Sequence, residues 1–247
     1  MLLFHSSNLP HYGLERVFEF TKSAGYDGIE IGVSLNFDTQ NPKYLKKLSD
    51  RYDLPIKAFS LSEKHEESLT QAFQKTVREF PETIITLNPP QVLSFEYKKW
   101  LNKIVPKLAQ KYDLIFCRKN VPSKSVMGFL PARSDNSIYV LKEKGYVALD
   151  LTALASSNED IMHSIRVLGN HLKHVYLSNV ARNELYSLPQ SGILPIESFL
   201  TKLAQKKYRG TFSVKVSPKQ LLEGEEDKVV EKMIEVRKFY EKYFVKD

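Results

Sequence analysis

Cysteine occurs once in the 247-residue chain, at Cys117, which excludes an internal disulfide framework and a cysteine-built zinc site. Glycine is scarce, with 10 residues, and neither GxGxxG nor GxxxxGK(S/T) occurs, so the phosphate-cradling turns of Rossmann and P-loop proteins are missing. No histidine pair stands at the HExxH spacing of a helical zinc site. No apolar run approaches the roughly 18 residues that a membrane-spanning helix needs. The opening segment, MLLFHSSNLP, has neither the basic start nor the sustained apolar stretch of a secretory signal. A cytoplasmic protein without membrane contact is therefore expected. What is present, 42% apolar and 26% charged residues, suffices for one large core.

The chain carries 36 Lys and Arg against 29 Asp and Glu, a net charge of +7. A nucleic-acid binder gathers its cations into a stripe interleaved with aromatics. Here they alternate with acids, as in EEDKVVEKMIEVRKFYEKYFVKD, the pattern of solvated helix faces. Nucleic acid is not the expected partner; the basic excess leaves room for an anionic ligand.

Eight short β-branched or aromatic runs recur: Leu2–His5, Gly28–Ile31, Ile56–Ser60, Thr83–Leu87, Leu114–Cys117, Tyr146–Leu149, His174–Leu177 and Thr211–Val216. Their near-continuous apolarity suits strands buried on both faces, as in parallel sheets. Between them lie amphipathic stretches at Gly13–Ala24, Pro42–Arg51, Ser68–Phe80, Phe95–Gln110, Ser137–Glu143, Asn158–Leu168, Pro195–Lys206 and Glu225–Phe244. Eight strand–helix units in strict alternation predict an α/β fold, a single parallel eight-stranded (β/α)8 TIM barrel spanning residues 1–247. A long loop around 119–137, rich in Ser and Pro and carrying Lys124 and Arg133, follows the fifth strand. Function in such barrels sits at the C-terminal strand ends. That selects Ser6, Asn8, Glu30, Ser60, Ser62, Asn88, Lys119, Asn120, Asp150, Thr152, Tyr176, Ser178, Asn179, Lys215 and Ser217.

GYDGIEIG (Gly25–Gly32) resembles the second strand of the xylose-isomerase-like barrels, the group of sugar-phosphate isomerases and epimerases and of the endonuclease IV (AP endonuclease family 2) enzymes. KNVP (Lys119–Pro122) resembles the group's fifth-strand Glu-Asn-x-Pro, VALDLTA (Val147–Ala153) its sixth-strand Asp-x-x-His, and HVYLSN (His174–Asn179) its seventh-strand His-x-His. GILPIESFLTKLAQKKYRGTFSVKVSP is similar to the last helix and eighth strand, with Lys215 where a Glu normally stands. The resemblance implies one divalent metal held by Glu, Asp, His and Glu from strands five to eight. Those positions fall on Lys119, Asp150, Tyr176 and Lys215, of which Asp150 alone is of ligand type. The histidine that follows the sixth strand in the group is Ala153, and the one in the loop before Leu-Pro is Ser187.

Protonated lysine has no lone pair to offer a metal, and catalytic divalent sites use three or more protein ligands. A degenerate metal site is therefore expected, with no metal and no cofactor. Two lysines, one aspartate and a neutral tyrosine sum to about +1, which makes Asp150 a local counter-ion. Two readings stay open for Lys119 and Lys215. They form a site for a polar or anionic small molecule, or they plug the mouth through ion pairs to Asp150 and Glu30.

As an enzyme, the protein is expected to be a metal-independent isomerase or epimerase acting on a sugar or sugar phosphate. Glu30, His5, Lys119 and Lys215 are then the catalytic candidates, and Asn88, Asn120, Asp150, Tyr176 and Asn179 the substrate-binding ones. A non-catalytic barrel that binds a protein or nucleic-acid partner is the alternative, and a Schiff-base aldolase using Lys119 or Lys215 a third. Anchoring and packing roles for Glu30, His5 and Tyr176 stand beside the catalytic ones. His11 and His65 fall in loops near the mouth, and Cys117 reads as a buried, inert thiol. A homodimer is the common assembly of such barrels, but no interface is legible here.

Overall fold

The computed structural model describes the chain except residues 62–65, 123–124, 127–129, 132, 134, 183 and 246–247. Ser62, His65 and Lys124 therefore lie outside the described residues. Eight parallel strands close into a barrel in the order of the chain: β1 (Leu2–His5), β2 (Gly28–Val33), β3 (Ile56–Leu61), β4 (Ile84–Leu87), β5 (Ile115–Lys119), β6 (Tyr146–Asp150), β7 (Leu172–Leu177) and β8 (Thr211–Val214). All eight apolar runs are strands, because a barrel strand is covered inside by its neighbours and outside by helices. The last strand pairs with the first, Phe4 lying opposite Val214.

Among the described residues two antiparallel strand pairs lie outside the barrel, Ser125–Val126 with Leu130–Pro131 and Asn179–Ala181 with Glu184–Ser187. The first belongs to the long connection after β5. The second folds from the end of β7 and was not anticipated by the periodicity.

The helices depart from expectation in several places; the one expected over Ser68–Phe80 runs from Glu66 to Val77. The stretch expected as one helix over Phe95–Gln110 is two, Phe95–Lys103 and Val105–Tyr112. Pro106 has no amide hydrogen and clashes with the preceding turn, so the chain restarts there. The helix expected from Asn158 begins at Ile161, where Asp160 caps the His163 amide. A short helix, Leu151–Ser156, precedes it and is capped by the Asp150 side chain on the Ala153 amide.

The helical layer packs by its apolar stripe. In Glu226–Phe244 the buried residues are Val229, Met233, Val236 and Tyr240, one side of the helix. Tyr240 and Phe244 set their rings edge-on to Phe212 of β8, at 5.2 and 4.7 Å. Inside the barrel, Leu3, Ala58, Ile84, Cys117, Ala148 and Tyr176 form a separate apolar plug.

Candidate functional site

Glu30 on β2 has no solvent exposure. A carboxylate there needs partners, and the strands supply them. The Tyr176 hydroxyl on β7 donates to its Oε1 at 2.6 Å and His174 Nε2 donates to its Oε2 at 3.1 Å. His5 Nε2 on β1 stands 3.6 Å from Oε1. The Tyr176 proton is committed to Glu30, so the Thr86 hydroxyl, 2.5 Å away, donates to the phenol oxygen. His174 Nδ1 meets the Thr211 hydroxyl at 2.6 Å. Burial alone pushes the Glu30 carboxyl up, but the two histidines and the donated hydrogen bonds outweigh it and hold the group well below the ordinary carboxylate range.

The tautomer of His5 follows from its neighbours. Its Nδ1 accepts from the Ser7 amide at 3.1 Å, so the ring proton is on Nε2, which donates to Ser60 Oγ at 2.8 Å. Gly32 makes room for this ring, since a Cβ there would come within 3.0 Å of His5 Cε1. Burial lowers the His5 pKa to about 4; Glu30 opposes that, while Lys215, Lys119 and His174 add to it. His5 is neutral at neutral pH.

The two lysines converge next to this network. Lys119 Nζ lies 5.2 Å and Lys215 Nζ 5.1 Å from the centre of the Tyr176 ring, within cation–π range. Lys119 is buried. Lys215 keeps 18% of its side chain exposed and stands 3.7 Å from Asp150 Oδ2. Its ammonium also lies 5.0 Å from the centre of the Tyr186 ring. Tyr186 comes from the unanticipated pair of strands, holds a left-handed backbone (φ 62°), and donates its hydroxyl to Asp150 Oδ2 at 3.3 Å. Asp150 Oδ1 accepts the Ala153 amide.

Of the expected ion pairs, Lys215 with Asp150 is present, whereas Glu30 is engaged by histidines and a tyrosine. Tyr176, expected at the mouth, is wholly buried with its hydroxyl turned toward Glu30. The interior thus sets two lysines against Glu30 and Asp150. The wholly buried Glu30 carries its negative charge inward and the partly exposed Lys215 its positive charge outward.

The asparagines at the strand ends bind main chain. Asn120 donates from Nδ2 to the Asp150 carbonyl at 2.9 Å and accepts the Asp150 amide at 2.7 Å, bridging β5 to β6. Asn8 spans the Val214 carbonyl and the Val216 amide. Asn179 holds the Pro189 carbonyl and the Val180 and Leu194 amides, and Asn88 donates to the Leu61 carbonyl. Asn120→Ala leaves two buried main-chain groups unpaired, so a loss of about 2 kcal/mol is expected, measurable by urea unfolding.

Among the described residues no group of three His, Cys, Asp or Glu side chains is placed to hold a metal ion. At the four positions where the resemblance implies ligands, two ammonium groups and a committed phenol flank the single carboxylate of Asp150. That donor set does not fit a divalent cation. Cys117 is fully buried in the apolar plug and burial pushes its thiol up, which leaves it unreactive.

His174, Thr86, Thr211 and Tyr186 belong to the network without having been given roles from the sequence. His174 was visible as an inward position on its strand, two residues before Tyr176. Tyr186 had no comparable signal, because its place depends on how a loop folds back.

No family model matches the sequence, and no curated protein is significantly similar to it. Solved structures are similar in three dimensions. A D-psicose 3-epimerase from Clostridium cellulolyticum H10 superposes with TM-score 0.73 at 14% identity, over 98% of this chain and 99% of that one. A xylose isomerase domain protein from Alicyclobacillus acidocaldarius gives TM-score 0.70 at 14% identity over 99% of both chains. The chain has the fold of the xylose-isomerase-like barrels. An AP endonuclease of family 2 from Brucella melitensis, the other branch of this fold group, gives TM-score 0.67 at 13% identity over 87% of this chain and 93% of that one. The structural neighbours of this barrel thus include sugar epimerases, and no helix among its described residues is long and apolar enough to cross a membrane.

Proposed function

We propose that this chain is a xylose-isomerase-like barrel with a degenerate metal site, whose mouth takes a polar, anionic small molecule on Lys119 and Lys215. The observation that carries the reading is the gathering of both ammonium groups on the Tyr176 ring, at positions where the resemblance implies metal ligands. Two fixed cations supply the positive charge that a metal would otherwise bring. The sugar epimerases among the structural neighbours support a sugar or sugar phosphate as the molecule.

The reaction class that fits is isomerisation or epimerisation by proton transfer next to a carbonyl. Lys215 stabilises the oxyanion that develops, and Asp150, 3.7 Å from it, takes and returns the proton. Lys119 holds the anionic end. Glu30 and His5, which the network closes off from solvent, act as positioning residues that fix Tyr176 and so the floor on which both lysines rest.

The test is equilibrium binding of sugar phosphates and small carboxylates to protein freed of metal by chelator, together with proton NMR of substrate in D2O. Saturable binding is expected, falling about 10-fold or more in Lys119→Gln and in Lys215→Gln, since each removes a charge-assisted contact. Binding that ignores both substitutions, or a stoichiometric metal that remains bound through Asp150, overturns the proposal.

A further inference from the structure

A second cationic site lies outside the barrel, back to back with Lys119. Arg118 precedes it on β5, and alternation along the strand turns the Arg118 side chain outward, between the helices Phe95–Lys103 and Ile138–Glu143. There the half-buried guanidinium donates one hydrogen bond, from Nη2 to the Leu101 carbonyl at 3.0 Å. Among the described residues it has no carboxylate partner. A half-buried charge with no counter-ion is costly, and burial does lower the basicity of this guanidinium, with Tyr97 and Asp135 offsetting part of the effect.

Arg118 opens on a small, solvent-open cleft that Lys98 and Lys144 also line. The acid in the lining is Asp135, which is paired with Lys144. Three cations therefore face one carboxylate. The opposite wall is Pro89 and Pro90, and Arg133 steadies it by donating to the Pro89 carbonyl at 2.6 Å. Guanidinium presents its N–H groups in a planar fork that matches a tetrahedral oxyanion, and flanking ammonium groups add charge without dictating shape.

We propose that this cleft is a second anion site, built on Arg118 with Lys98 and Lys144, for a phosphate group. The phosphate is either free or the end of a small phosphate ester. The proposal does not depend on the barrel mouth, because the two sites occupy opposite sides of β5.

The experiment titrates inorganic phosphate, glycerol 3-phosphate and acetate into Lys119→Gln/Lys215→Gln protein, where the mouth is silenced, with calorimetry as the readout. One saturable phosphate site is expected, weakened about 10-fold or more by Arg118→Gln and several-fold by Lys98→Gln. Lys98 is exposed and, among the described residues, has no acid partner, so its variant reports on the site without endangering the fold. Tighter binding of glycerol 3-phosphate than of phosphate identifies an ester, and equal binding a free oxyanion. The proposal is overturned by absence of saturable phosphate binding in this background. It is equally overturned by binding that survives both substitutions, or by acetate binding as tightly as phosphate.

Discussion

Replacing Glu30 by alanine is expected to remove about 3–5 kcal/mol of folding stability, the range seen when one member of a buried charged network is deleted. The native state would keep the Tyr176 hydroxyl and His174 Nε2 as donors with no acceptor, on side chains that have no solvent exposure. Each unpaired buried donor costs about 1–3 kcal/mol, and the vacated volume adds a cavity term. Against a total of about 5–15 kcal/mol for a domain, Glu30→Ala sits near the limit of folding.

The companion variant Glu30→Gln separates stability from chemistry. It keeps the shape and one acceptor but sets an amide N–H₂ against a donor, so a smaller loss, about 2 kcal/mol, is expected. If Glu30 is a positioning residue, Glu30→Gln protein that folds retains ligand binding at Lys119 and Lys215 to within a few-fold. Loss of turnover with binding and stability intact would instead make Glu30 the reacting base. Urea unfolding midpoints and the same calorimetric titrations decide.

The barrel was legible because its signals are local. A strand that is buried on both faces must be apolar nearly throughout, and the eight runs meet that condition without exception. Errors fell where a single residue overrides a pattern. Pro106 splits an otherwise periodic helix, and Asp150 caps a helix that no apolar spacing announced. The site was legible in part. Strand-end positions singled out Lys119, Asp150 and Lys215, which the fold brings close together, but the partners of Glu30 were not predictable from them. Glu30 and His174 lie 144 residues apart, and nothing in the neighbourhood of either announces the other. Asparagines at strand ends looked like ligands for a substrate because they are polar and inward. In the structure their amides bind main chain, reproducing the donor and acceptor of a peptide group that a closing barrel leaves unpaired.

Folding stability is expected to fall by about 2 kcal/mol between pH 7 and pH 5, through His5. The native ring is held neutral down to a pKa of about 4, whereas in the unfolded chain it titrates near its ordinary value of about 6.5. Between those two values the unfolded state binds a proton that the native state does not, so stability rises with pH across this window and is lost as pH falls. The structural reason is first the burial of the ring, which disfavours the imidazolium, and then Lys215 and Lys119 nearby, with Glu30 opposing; a proton on Nδ1 would also face the Ser7 amide that now donates to it. Glu30 does not contribute in the same window. Its native carboxyl is held below the ordinary range, so the stability it brings is present above the unfolded carboxylate value of about 4.3 and fades only below it. Urea unfolding at half-unit steps from pH 7 to pH 5, on wild-type and His5→Gln protein, isolates the effect. The variant loses the Ser7 and Ser60 contacts and starts less stable, but its stability should be flatter across the window by about 2 kcal/mol. Equal slopes in the two proteins would mean that His5 takes up its proton in the folded state as readily as in the unfolded one, and the assigned tautomer, with the network around Glu30, would have to be redrawn.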